Sequence, residues 1–138
     1  MVDMAELSNQ PLALVASPPL AGDDPPVDVA HLARMTLGER SLEIQVLELF
    51  DRQAELLLAR MREVAPSGVA GFAHTLVGSA RGIGAWRVAA AAEALERAVA
   101  ECGELAPAIE RLVAAVAEAR LAICAMLRVS APAGATQP

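Results

Sequence analysis

Apolar residues recur at three- and four-residue steps along successive stretches of this chain, and the β-branched residues are scattered along it, never gathered into alternating runs. That period predicts helices throughout. Val27 or Asp28 opens a short helix to about Thr36, with Asp28 as N-cap and Gly38 as the stop. A long helix follows, from about Glu39 or Ser41 to Val64. Its main stripe is Leu42, Val46, Leu49, Phe50, Leu57, Met61 and Val64, and Ile44, Leu47, Leu56 and Leu58 widen it enough for two neighbours. Pro66-Ser67-Gly68 reads as a turn, with Ser67 capping a third helix that runs to about Gly82. At about 100° per residue, Phe72, Leu76, Ser79 and Ile83 share one side of that helix. Trp86 to Glu101 forms the next, with Val88, Ala92, Leu95, Val99 and Cys102 as its core line and Gly103 as a C-cap signal. Pro107 suits the first turn of the last helix, where Ile109, Leu112, Val116, Ala119, Ile123 and Met126 recur until near Val129.

Short connections imply antiparallel neighbours. The predicted fold is all-α: an antiparallel up-down four-helix bundle with a short additional N-terminal helix. Residues 27–129 form the bundle. Residues 1–26, broken by Pro11, Pro18, Pro19, Pro25 and Pro26, read as a flexible N-terminal arm, and 130–138 as a disordered tail.

Composition sharpens this. Of 138 residues 55% are hydrophobic, yet 31 residues are alanine, the best helix former and small enough for close helix contact. The net charge of −6 argues against nucleic acid or an anionic membrane as partner. Two cysteines, Cys102 and Cys124, lack metal-ligand spacing and read as small core residues in a reducing compartment. No basic n-region precedes an apolar run, and no apolar stretch nears ~20 residues, so the expectation is a soluble, cytoplasmic protein. The sequence carries no Gly-rich nucleotide loop and no His/Cys/acid cluster with zinc spacing, which argues against an autonomous kinase and against a bound metal.

His74 holds the candidate chemistry. It points away from the apolar side of its helix, flanked by Ala70, Gly71, Val77, Gly78 and Arg81. Gly71, Gly78 and Gly82 lie within about 40–80° of it on the helical wheel. Each costs about 1 kcal/mol relative to alanine in a helix interior. Something bulky must then come close to the backbone beside the imidazole: a neighbouring helix of the bundle, or a partner protein. No carboxylate occurs between Glu63 and Glu93, while His74, Arg81 and Arg87 do. Either this is simply the most buried helix, or the segment receives an anion. His31 reads as a surface or rim residue and Trp86 as a plug at the bundle end.

The run His74-Thr75-Leu76-Val77-Gly78-Ser79-Ala80, then Ile83-Gly84-Ala85, then Leu95-Glu96, closely resembles the histidine-containing phosphotransfer (HPt) domain family, whose motif has the form H-x-L-K-G-S-A followed by G-A and a later L-E. The resemblance covers roughly residues 28–128. It implies that His74 is the phosphoacceptor, that Gly78 is the small residue admitting a receiver domain, and that Ser79 lies close to the site. One departure stands out: Val77 occupies the position where the family carries lysine. Arg81, two turns from His74 on the same face, could supply the cation instead, as could Arg87 at the start of the next helix; Arg81 could equally be a solvated surface residue. Arginine binds phosphate bidentately and keeps its charge.

The mechanism the resemblance implies is attack by a neutral imidazole nitrogen on a receiver aspartyl phosphate, with positioning and nearby cations supplying most of the catalysis. The chain would act as a phosphoryl carrier rather than a kinase. It would bind no cofactor of its own; with no carboxylate cluster expected near His74, Mg²⁺ would come with the partner receiver. The partners would be receiver domains of response regulators or hybrid histidine kinases. Ala70 and Val77 would offer a low apolar docking surface, extended by the short helix and the first half of the long one. Two rivals follow from the same residues: an adaptor that docks a response regulator without phosphate chemistry, favoured by Val77, and a purely structural bundle or homodimer, which predicts a buried His74.

Overall fold

The computed structural model describes residues 25–130, which form five α-helices and, among them, no strand. In chain order these are α1 (Val29–Met35), α2 (Arg40–Met61), α3 (Pro66–Ile83), α4 (Trp86–Ala100) and α5 (Leu105–Ser130). Helices α2 to α5 each pack on the next, α5 closes against α2, and α1 lies on α3. This is the expected four-helix bundle with one extra short helix. Most of the arm (1–26) and all but the first residue of the tail (130–138) lie outside the described residues.

The core runs through all five helices, with Leu32, Leu47, Leu76, Leu95, Leu112 and Ile123 among its largest fully buried side chains. Alanine fills what remains: Ala54, Ala73, Ala80, Ala89 and Ala92 are all fully buried. Small side chains let α3 and α4 approach closely, which makes that pair the most intimate in the bundle. Across the opposite seam, Arg120 of α5 reaches Asp51 of α2 through Nε at 2.7 Å.

Helix α1 is seated on the turn between α3 and α4. Asp28 caps it, its carboxylate accepting from the His31 amide at 3.1 Å. The same carboxylate accepts from the Trp86 indole N–H at 3.0 Å, and the Asp28 amide donates to the Gly84 carbonyl at 2.9 Å. The Trp86 bond, followed by the His31 amide, holds the Asp28 carboxyl below the usual carboxylate range. His31 is half-buried and stacks edge-on against Trp86, its Nε2–H donating to the Arg81 carbonyl at 2.8 Å. Both residues therefore join the α1 seat. Gly84 ends α3 in the left-handed conformation, where a Cβ would stand 2.8 Å from that of Asp28.

Several local expectations are corrected. Pro66, not Ser67, opens α3: proline at N1 loses no helical hydrogen bond, and the cap position falls on Ala65. In α2 the buried line is Leu47, Phe50, Ala54, Leu57 and Met61, whereas Leu42, Leu49 and Leu56 are exposed. So many leucines circle this helix that the stripe could be drawn on either side. Cys102 and Cys124 are both exposed. Cys102 takes the left-handed position after α4 (φ 55°) that Gly103 was expected to fill, and the Gly103 amide bonds back to the Ala98 carbonyl.

Candidate functional site

Helix α3 buries Val69, Ala73, Leu76, Val77, Ala80 and Ile83. That line is rotated from the one drawn through Phe72 and Ser79, which are only half-buried. Alanines carry the difference: they add little hydropathy but pack fully against α4. His74 remains on the outer face under either reading, and its side chain is 78% exposed. The buried imidazole that a purely structural bundle predicts is not found.

The imidazole is nevertheless oriented. Its Nδ1 lies 3.0 Å from Glu96 Oε2 on α4. A carboxylate only accepts, so Nδ1 carries a proton, and in the neutral ring the lone pair sits on Nε2. Glu96 thus fixes which nitrogen can act as nucleophile. Its contact lies 22 residues away in the chain, beyond the reach of helical spacing; the only trace in the sequence was the Leu95-Glu96 pair. The site is therefore not free of acids. Its own helix is, but α4 brings two carboxylates to it: Glu96 on His74 and Glu93, which pairs with Arg81. Among the described residues no group of three or more His, Cys, Asp or Glu side chains could hold a metal ion.

The other predicted site residues separate into two sets. Gly71 and Gly78 are exposed beside His74, and Ala70 is half-buried there. A Cβ at Gly71, Gly78 or Gly82 would meet nothing within 4 Å, so the strip faces open space and not a neighbouring helix. Ser79 is half-buried and donates to Gln53 Oε1 of α2 at 2.6 Å. Val77 is corrected: only 5% exposed, it belongs to the core and offers no docking surface. The α3–α4 contact is broad enough to take position 77 along with Ala73 and Ala80. Arg87 is tied to Glu118 of α5 at 3.1 Å, which commits its guanidinium to a different seam.

Two unlike flanks border the imidazole. On the α4 side stand Glu96 and the Arg81–Glu93 pair. On the α2 side a groove begins one turn along at Gly78. Met35, Leu42, Val46, Leu49 and Phe50 line it opposite Gly78, Ser79 and Gly82. Met35 and Leu49 are more than half exposed, a cost in water that a docked partner would remove. No helix among the described residues is long and apolar enough to cross a membrane.

The chain is similar to known proteins in the same terms. A search of curated proteins finds no match. In structure it is similar to the histidine phosphotransferase ShpA from Caulobacter crescentus, with 30% sequence identity and a TM-score of 0.62, over 76% of this chain and 93% of that one. The family model for the Hpt domain matches residues 40–122, from the start of α2 well into α5, with His74 and Glu96 both inside the match and α1 before it. The chain belongs to the histidine-containing phosphotransfer (Hpt) domain family of phosphorelay proteins.

Proposed function

We propose that this protein is a phosphoryl carrier: Nε2 of His74 accepts a phosphoryl group from an aspartyl phosphate of one receiver domain and passes it to another. The observation that carries this reading is an imidazole 78% exposed, held through Nδ1 by Glu96 and bordered by a glycine strip with nothing over it. As the Nε2 lone pair attacks phosphorus, the P–O bond to the receiver aspartate breaks and its electron pair leaves with the carboxylate. Nδ1 keeps its proton, so the ring gains positive charge, and Glu96 stabilises that charge through the bond it already makes. The chain supplies a rigid, correctly tautomeric nucleophile. The receiver supplies Mg²⁺ and the in-line geometry. The groove from Met35 to Phe50 receives the apolar face of that receiver, and Gly71 and Gly78 let its active site approach the imidazole.

A second reading is an adaptor that docks a response regulator without accepting phosphate. It draws on Val77, buried and uncharged, and on the apolar groove, which needs no imidazole. One experiment separates the two. On incubation with a phosphorylated receiver, an acid-labile label appears on the wild type and is absent from His74→Gln, while both bind the receiver. Binding without label on the wild type would leave the adaptor.

A further inference from the structure

We infer that Glu93 is a positioning residue for phosphoryl transfer: it draws the Arg81 guanidinium back along α3 toward His74, where it meets the phosphoryl oxygens. The inference rests on His74 being the phosphoacceptor.

The argument is one of register. Helices α3 and α4 run antiparallel, and the His74–Glu96 contact fixes which levels face each other. Three residues forward on α3 is level with three residues back on α4, so Glu93 stands level with position 77. Arg81 is rooted one turn beyond that level, yet its Nη2 meets Glu93 Oε2. Both side chains lean toward the N-terminus of their own helix, so they meet between these two levels, and the Arg81 side chain runs toward His74. Its charge therefore ends nearer the imidazole level than its Cα, which is two turns away. Position 77 itself contributes no charge: Val77 is aliphatic and buried.

A cation at this level answers a problem that the site creates. The transferring group spreads negative charge over three oxygens, and Glu96 adds another negative charge beside the same ring. Without a nearby cation the two repel. Arginine presents five donors in a planar fork, more than one carboxylate engages. The guanidinium keeps its full charge while paired to Glu93 and can exchange a donor onto the phosphoryl group. A purely structural ion pair would do less: both partners are partly exposed, at 42% and 30%, and such pairs contribute little to stability. The buried valine and alanine faces of α3 and α4 already hold those helices together.

The test uses phosphoramidate as donor, so that no receiver is needed. Nε2 attacks its phosphorus, the donor P–N bond breaks, and the electron pair leaves with ammonia. Phosphohistidine formation is followed by ³¹P NMR on the full chain, with His74→Gln as the blank. Arg81→Ala and Glu93→Ala each lower the rate by about tenfold, the scale of one charge-assisted hydrogen bond. The double variant is no slower than the slower single one, and Glu93→Asp recovers most of the rate. Glu93→Gln, nearly isosteric and uncharged, carries the same expectation if alanine loosens the bundle. A Glu93→Ala or Glu93→Gln rate within twofold of wild type overturns the inference while His74 still labels. So does a double variant in which the two losses multiply. A wild type that takes no label overturns the phosphoacceptor reading and this inference together.

Discussion

Replacing Gly84 by alanine should unseat α1, whereas the same replacement at Gly78 should strengthen the fold. Gly84 sits at φ 80°, ψ 24°, a conformation that costs a residue with a Cβ roughly 1–2 kcal/mol. The added methyl would also stand 2.8 Å from the Asp28 Cβ and 3.0 Å from its carbonyl oxygen. Backbone cannot yield as a side-chain tip can, so Asp28 must move. Moving it weakens the Asp28 amide bond to the Gly84 carbonyl and the Trp86 bond to the Asp28 carboxylate, each worth about 1 kcal/mol. Together these give a loss of roughly 2–4 kcal/mol. Gly78 is mid-helix with nothing within 4 Å of an added Cβ. There alanine removes only unfolded-state entropy and should gain roughly 0.5–1 kcal/mol. Urea unfolding followed by far-UV circular dichroism measures both. A Gly84→Ala midpoint equal to wild type, or a Gly78→Ala variant less stable than wild type, would refute the reasoning.

Three further outcomes are expected. Glu96→Gln should let the imidazole tautomers mix and slow phosphoryl uptake about tenfold; ¹⁵N NMR of His74 reads the tautomer directly, and an unchanged Nδ1–H population would remove Glu96 from its role. Gly78→Leu should keep the helical spectrum yet abolish receiver binding in titration calorimetry, since its side chain fills the approach beside His74. The Asp28 carboxyl is held below its ordinary value of 3.8. Its contribution to stability is therefore full above that value and is lost as pH falls through the lower folded value. Asp28→Asn should show less loss of stability below about pH 4 than wild type; parallel acid profiles would count against that account.

The bundle was legible because period is a property of whole helices. The exposure of His74 was legible because an imidazole on an outer face needs only the right rotation, and His74 stays outside over a wide range of core directions. Which side chains fill the core was harder to read. In α3 the line through Phe72 and Ser79 attracted the reading because alanine adds little to any hydropathy pattern, yet Ala73 and Ala80 are fully buried and bring Val77 in with them. In α2 the leucines at 42, 49 and 56 look like core from spacing alone; they lie at the edge of the bundle, and the first two line the groove beside Gly78. The α4 carboxylates could not be placed from the sequence. Their meaning comes from the register between two helices, and no single helix contains it. The same holds for His31, whose ring bonds a carbonyl 50 residues away.

Both cysteines face water, Cys102 on the turn after α4 and Cys124 on α5. Stored in air without a reductant, separate copies will couple through intermolecular disulfides, and bands of doubled and higher mass on a non-reducing gel will collapse on adding dithiothreitol. Such species are chemical cross-links and carry no information about native assembly. Glycine is the replacement of choice at Cys102, since the backbone there already adopts φ 55°.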